Sequence, residues 1–176
     1  VFAGDISDFE IEGISIGDSL LDYMSEEEIK KELEINKSRY EFLNNYKFGE
    51  VYNFEKFQNY DYISFFVKPD DNKYIIYAIY GATNYQRKIK QCYLKQKEIF
   101  NQISLIFKNI TPEKGTEQHT RYPTGDNTVR HFTFNLDEGH IRIECYNFEE
   151  NLLDYEQEAL LISINRYEVF NWLGGF

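Results

Sequence analysis

Few residues of this chain could do chemistry by themselves, and its three histidines are the first to consider. They are His119, His131 and His140. A zinc site needs several His or Cys ligands at short, characteristic spacings, and these histidines do not have such spacings. Asp70–Asn72 offers the oxygen ligands that calcium prefers, but it lacks the spaced acidic ligands and the distal Glu of an EF-hand loop. The sequence therefore predicts no metal and no cofactor.

A second set of polar residues could support ester hydrolysis. A serine nucleophile needs an imidazole base, a carboxylate that orients the base, and donors for the oxyanion. The letters GDSL at 17–20, GDN at 125–127 and DEGH at 137–140 resemble three sequence blocks of the SGNH/GDSL hydrolases. This resemblance implies that Ser19 is the nucleophile, that Asn127 serves the oxyanion, and that Asp137 and His140 form the acid–base pair.

The surroundings of these letters favour a structural interpretation. The hydrolase fold is a parallel α/β sandwich with its nucleophile after the first strand, whereas this chain has the pattern of antiparallel hairpins. Asp137 and His140 flank a Glu-Gly turn, which accounts for their spacing, and Asp18 or Ser19 can cap a helix. Hydrolysis is therefore the alternative function and not the leading one.

The first half of the chain contains one helix followed by strands. In residues 9–16 apolar and polar side chains alternate loosely, which predicts a short strand or an extended arm. The capping box Ser25–Glu28 begins a helix that reaches about Glu34. Strands are predicted next, at 48–54, 62–68 and 74–82, the last two joined by a turn at 69–72.

The second half repeats this order of elements. Apolar residues three and four apart predict a helix over 87–109, which Pro112 ends. Residues 111–128 are predicted to be the longest loop, rich in Thr, Gly, Pro and charges. The remaining predictions are a hairpin at 129–146, a strand at 159–165 and a short terminal helix or turn at 167–173.

These elements predict an α+β fold. Adjacent hairpins favour one antiparallel sheet of about six strands in two hairpin-containing halves, each half preceded by a helix. The central helix is expected to pack on the sheet. We predict a flexible amino terminus at 1–8 and a single domain at 9–176, in which segments 18–86 and 87–176 are consistent with an internal duplication.

The hairpin at 129–146 has the clearest pattern. A two-residue turn at Glu138-Gly139 would pair Leu136 with Ile141. On this register the apolar face consists of Phe132, Phe134, Leu136, Ile141, Ile143 and Cys145. The polar face consists of His131, Thr133, Asn135, Asp137, His140, Arg142, Glu144 and Tyr146.

The two cysteines are predicted to form a disulfide bond. Cys92 lies on the apolar stripe of the central helix, and Cys145 lies on the apolar face of the hairpin. The two thiols approach each other if that helix covers that sheet. An even number of cysteines also suits an exported domain.

The composition excludes several classes of protein. The 176 residues include 19 Lys+Arg against 30 Asp+Glu, which gives a net charge of -11. Binding to nucleic acid or to an anionic membrane surface requires a basic surface instead. The longest apolar runs, such as 74–82, are too short to span a bilayer. The aromatic content of 18% is attributed to A/T-rich codons and to sheet packing.

The amino terminus bears on the compartment. The letters VFAG at 1–4 fit the end of a secretory signal cleaved after Ala3. They fit equally well a chain end that was trimmed at an arbitrary position. Because the cysteine pair favours export, we expect a periplasmic or secreted protein.

Two resemblances point in the same direction. The start FEIEGISIGDSLLDY at 9–23, then SEEEI at 25–29, KYIIY at 73–77 and the two cysteines resemble a group of uncharacterised exported proteins from marine bacteria. That similarity implies that the protein is exported, but it does not imply any biochemical activity. Gly13 or Gly17 and the following helix are more distantly similar to exported α+β domains of the BamE and β-lactamase-inhibitor type, which implies a protein-binding or envelope-assembly role.

We therefore expect an exported, non-catalytic module that binds another protein or an envelope component. The first alternative is a GDSL-type ester hydrolase acting through Ser19 and His140. The second alternative is a small-molecule carrier with an aromatic-lined pocket.

Overall fold

The computed structural model describes residues 4–40, 42–43, 45–53 and 57–175. In this part of the chain the α-helices are α1 (Glu26–Asn36), α2 (Ile89–Ile106) and α3 (Tyr167–Trp172). The strands are β1 (Gly49–Asn53), β2 (Tyr62–Val67), β3 (Ala78–Asn84), β4 (Glu113–Gln118), β5 (Thr128–Asn135), β6 (Gly139–Asn147) and β7 (Ala159–Arg166). They form one antiparallel sheet in the order β1-β2-β3-β7-β6-β5-β4. The predicted α+β class with an antiparallel sheet is confirmed.

The helix α1 begins at the predicted capping box. The Glu28 amide donates to Ser25 Oγ at 3.3 Å, and the Ser25 amide donates to Glu28 Oε2 at 2.9 Å. These bonds satisfy two of the amides that a helix leaves unpaired at its start. Ile29 and Leu33 are buried on the side of α1 that packs against β1. The helix extends to Asn36, two residues past the predicted end.

The helix α2 packs on β6 and β7 and carries the predicted disulfide. Its buried side chains recur every three or four residues, as the sequence pattern requires: Cys92, Gln96, Ile99, Phe100 and Ile103. A disulfide joins Cys92 to Cys145 on β6. The prediction that the central helix covers the sheet and brings the thiols together is confirmed.

The second hairpin has the predicted faces but a different register. Phe134 pairs with Ile141, and Asn135 pairs with His140. The Leu136 amide donates to the Gly139 carbonyl at 2.8 Å, so the turn residues are Asp137 and Glu138. The predicted register was wrong by two residues. A shift of two leaves every side chain on its predicted face, because the pleat repeats every two residues.

The predicted loop at 111–128 contains a strand, β4, so the sheet has seven strands and not about six. Five of the six β4 residues are exposed, and the sixth, Gly115, is half-buried. A strand at the edge of the sheet with both faces in water has no apolar alternation, which is why the sequence pattern did not reveal it.

The amino-terminal segment changes where β3 begins. The Gly17 amide donates to the Ile76 carbonyl, and the Leu20 amide donates to the Tyr74 carbonyl. Residues 74–76 therefore pair with the amino-terminal segment, and β3 starts at Ala78 and not at the predicted Tyr74. In the predicted arm at 9–16, Ile11 and Ile14 form an isolated bridge instead of a continuous strand.

The beginning of the described chain belongs to the core. Ile6 is only 2% exposed and packs in the same apolar cluster as Phe134 and Ile141. The end of the predicted signal sequence, at 1–3, lies outside the described residues. None of the helices within the described ranges is both long and apolar enough to cross a membrane.

The two faces of the sheet are covered unequally. One face packs against α1, α2 and the amino-terminal segment and forms the main core. On the other face a smaller cluster of Phe48, Phe66, Ala78 and Val169 lies beside Trp172 of α3. Because α3 covers one end of that face, the remainder forms an open surface.

Candidate functional site

The open part of the second sheet face forms a groove with a volume of about 580 Å³. Tyr167, Phe170 and Leu173 of the α3 region line one end, and His119 and Thr120 line the other. The floor consists of side chains from β3, β5, β6 and β7, with Glu113 and Glu117 of β4 at the side. We call this the groove.

The strand register brings the floor residues into rows. Tyr80, Ser163, Arg142 and Thr133 stand opposite one another on β3, β7, β6 and β5. A residue and its cross-strand partner point to the same side of a sheet, so all four face the groove. The insertion of β7 between β3 and β6 joins the two halves of the chain in this floor.

A network of charges lies near the centre of the groove. Arg142 Nε donates to Glu144 Oε1 at 2.8 Å, and Arg142 Nη2 is 3.5 Å from Glu117 Oε2. His131 Nε2 is 3.0 Å from Glu117 Oε1. The single guanidinium thus lies between two carboxylates, and the Glu117 side chain is 59% exposed. Three carboxylates line the groove, those of Glu113, Glu117 and Glu144, whereas Arg142 is the one Lys or Arg side chain among the described residues that line it, so the groove carries surplus negative charge.

His140 lies at the α3 end of the groove and is 6% exposed. Its ring meets Phe170 edge-on at 4.7 Å between centroids, and its Nε2 is 3.4 Å from Asn165 Nδ2. Burial, together with the nearby positive charge of Arg142, lowers the pKa of His140 to about 4. The imidazole is therefore neutral at pH 7 and adds no positive charge.

The tyrosines of the groove are neutral as well. Tyr80 Oη donates to Asn165 Oδ1 at 2.6 Å. Burial is the main cause that raises the pKa of Tyr80 and of Tyr146 above the usual range. Their rings and hydroxyl groups can contact a ligand by packing and by neutral hydrogen bonds.

We expect His140 to make the protein less stable in mild acid. Its folded pKa of about 4 lies below its ordinary value of 6.5, so the unfolded chain binds the proton more readily. This contribution is present above pH 6.5 and is lost as pH falls toward 4. Between pH 7 and pH 5 the loss is about 2 kcal/mol in the free energy of unfolding.

Urea unfolding at several pH values, with His140→Gln beside the wild type, measures this loss. Every other titrating group is present in both proteins, so the difference between the two pH profiles isolates His140. Parallel profiles between pH 7 and pH 5 contradict the prediction.

The four residues of the hydrolase prediction have separate surroundings. Ser19 Oγ donates to the Lys73 carbonyl at 2.6 Å, next to the bridge between Ser19 and Ile75. Asn127 Nδ2 donates to the Thr124 carbonyl, and its Oδ1 accepts from the Glu149 amide. Asp137 is exposed in the hairpin turn, whereas His140 lies in the groove. Among the described hydrogen bonds, none joins two of these four side chains. Ester hydrolysis stays a prediction from the sequence.

Several groove residues were outside the sequence-based predictions. The pattern of β7 could have pointed to Leu161, Ser163 and Asn165, because alternate residues of a strand share a face.

The described residues contain no group of three or more His, Cys, Asp or Glu side chains that could hold a metal ion. Comparisons of the chain with models of protein families, with curated proteins and with solved structures find no match.

Proposed function

We propose that this chain is an exported, non-catalytic binding module whose ligand site is the groove. The observation that carries this proposal is the unequal covering of the sheet. One face is packed by two helices, while the other stays open between α3 and His119–Thr120. Export is supported by the Cys92–Cys145 disulfide, since structural disulfides persist mainly in oxidising compartments.

The side chains of this groove suit the binding of a protein or envelope component better than they suit catalysis. Tyr and Arg, which dominate the energetics of protein interfaces, lie in its floor at Tyr80, Tyr146 and Arg142. Their polar atoms already have partners within the groove, so the surface is ordered before it binds. Such preorganisation lowers the entropy cost of association.

A small-molecule carrier is the second candidate. The groove volume of about 580 Å³ falls within the usual size of ligand pockets. The rings of Tyr80, Tyr146, Tyr167 and Phe170 line it, as the carrier prediction requires.

Obstructing the groove tests both candidates. Thr120 is exposed at the end of the groove, so Thr120→Trp places an indole over it without disturbing the core. We expect capture of partners from the native envelope fraction to fall at least about tenfold, because the indole would occupy space at the end of the groove that a bound partner has to fill. Quantitative mass spectrometry of the captured proteins measures the change. Native mass spectrometry of the purified protein measures any bound small molecule.

Leu94→Trp is the matched control. Leu94 is 73% exposed on α2, which packs on the opposite face of the sheet, so this variant adds the same ring away from the groove. A partner held equally by wild type, Leu94→Trp and Thr120→Trp contradicts the groove as the binding site. A bound small molecule lost in Thr120→Trp alone, with no change in captured proteins, favours the carrier.

A further inference from the structure

The two edges of the sheet differ in how their backbone groups are covered. At the β1 edge, side chains of α1 hydrogen-bond to the strand: Asn36 Nδ2 donates to the Glu50 carbonyl at 3.3 Å, and the Tyr52 amide donates to Glu32 Oε2 at 3.4 Å. A covered edge cannot take up another strand. This edge is closed by the fold itself.

The β4 edge has no such cover in the described part of the chain. The His119 amide donates to the Asn127 carbonyl at 2.8 Å, which continues the β4–β5 ladder. Because an antiparallel ladder alternates, residues 113, 115 and 117 direct their backbone groups toward β5. The backbone groups of Lys114, Thr116 and Gln118 then point outward. No hydrogen bond from another described element reaches them.

The side chains of β4 give this edge a charge. Glu113 and Glu117 lie on the groove side, and we call them the acidic rim. Gly115 lies between them and offers no side chain. Lys114 points to the other face, where its Nζ is 4.9 Å from the Phe100 ring centroid, so it does not neutralise the rim. The rim extends the surplus negative charge of the groove to the open edge.

We propose that a partner protein adds an extended basic segment to β4 as an eighth strand, with two cationic side chains facing the acidic rim. This inference rests on the proposed binding function and names its partner. Strand addition supplies main-chain hydrogen bonds, and alternate side chains supply specificity. Residues four apart on the added strand lie on one face, so Lys or Arg at that spacing stands opposite Glu113 and Glu117.

A second copy of the chain fits this edge less well. Pairing two β4 edges brings two acidic rims together, and like charges placed across a strand pair repel. The net charge of -11 adds repulsion between copies. A basic segment removes both penalties.

Two synthetic peptides of identical composition test the proposal. The matched peptide is acetyl-Thr-Lys-Thr-Val-Thr-Lys-Thr-amide, with both lysines on one face of a strand. The mismatched peptide is acetyl-Thr-Lys-Thr-Val-Lys-Thr-Thr-amide, with its lysines on opposite faces. Titration followed by protein amide NMR shifts gives both dissociation constants. We expect the matched peptide to bind about fivefold more tightly, given the usual strength of cross-strand charge pairs.

Three further variants separate the contribution of the β4 backbone from that of its side chains. Thr116→Pro removes an outward amide and leaves the β5 ladder intact, because proline is tolerated on an edge strand where its nitrogen faces solvent. We expect it to weaken the matched peptide at least about tenfold, while Thr116→Val, which keeps the amide, binds as the wild type does. The double variant Glu113→Gln/Glu117→Gln is expected to bind both peptides equally. Thermal unfolding verifies that each variant folds.

Several results overturn the proposal. These are equal binding of both peptides by the wild type, undiminished binding by folded Thr116→Pro, and no shift of Lys114, Thr116 or Gln118 amides at saturating peptide. A dimer that Thr116→Pro dissociates would assign the edge to a second copy. If instead Thr120→Trp abolishes partner capture while Thr116→Pro leaves it unchanged, the groove function stands and strand addition fails.

Discussion

Loss of the Cys92–Cys145 bond is expected to lower the free energy of unfolding by about 4 kcal/mol. The bond closes a loop with a sequence separation of 53 residues, and the loop-entropy relation gives this magnitude for such a loop. The effect is large because the bond restricts the unfolded chain between α2 and β6. It is a substantial part of the stability of an ordinary domain.

Comparison of oxidised and reduced wild type measures the crosslink alone. Both sulfurs are fully buried, so the protein is reduced while unfolded, refolded under reductant, and then titrated with urea. The double variant Cys92→Ala/Cys145→Ala serves as a second measurement and adds a small cavity term. A difference below about 1 kcal/mol between the oxidised and reduced forms contradicts the expected entropy effect.

Gly139→Ala is expected to destabilise the protein by about 3 kcal/mol. A Cβ at Gly139 would lie 2.0 Å from the backbone oxygen of Asn165 and 2.7 Å from Ile6 Cδ1. The Ile6 side chain can move, but the Asn165 oxygen belongs to β7, so β6 and β7 have to separate. Because His140 and Asn165 pair across these strands, the α3 end of the groove changes too.

Glu138→Ala is the matched control, since it places the same residue one position earlier in an exposed turn. Calorimetry of both variants gives the difference in stability, and the NMR shifts of His140 and Asn165 report on the groove. If Gly139→Ala is as stable as Glu138→Ala, the close approach of β6 to β7 does not constrain residue 139.

The local elements and the paired faces of the sheet could be predicted from the sequence. The period of α2 placed Cys92 on the buried stripe, and alternation in the second hairpin placed Cys145 on the apolar face. Arg142, Glu144 and Tyr146 were expected on the opposite face, where they now line the groove. These predictions succeeded because helix and strand periods are local properties of the chain.

Other features of the site leave no pattern in the sequence around the residues that form them. β4 carries charged, Thr and Gly residues that water surrounds, so its pairing with β5 leaves no hydrophobic pattern. Gly139 lies in β6 and not in the hairpin turn, and there it closely approaches Asn165 of β7, which is 26 positions away in the sequence. The end of the groove depends on Phe170 packing against His140.

The sequence by itself determined the α+β class, the buried stripe of α2, the cysteine pair and the faces of the second hairpin. Only the tertiary structure decided that β7 lies between β3 and β6, that α3 covers one end of the open face, and that α1 covers the β1 edge while no described element covers the β4 edge. The physical reason is the range of the interactions. Period and turn chemistry act over a few residues, whereas the groove and the free edge arise from contacts between strands that are far apart in the chain.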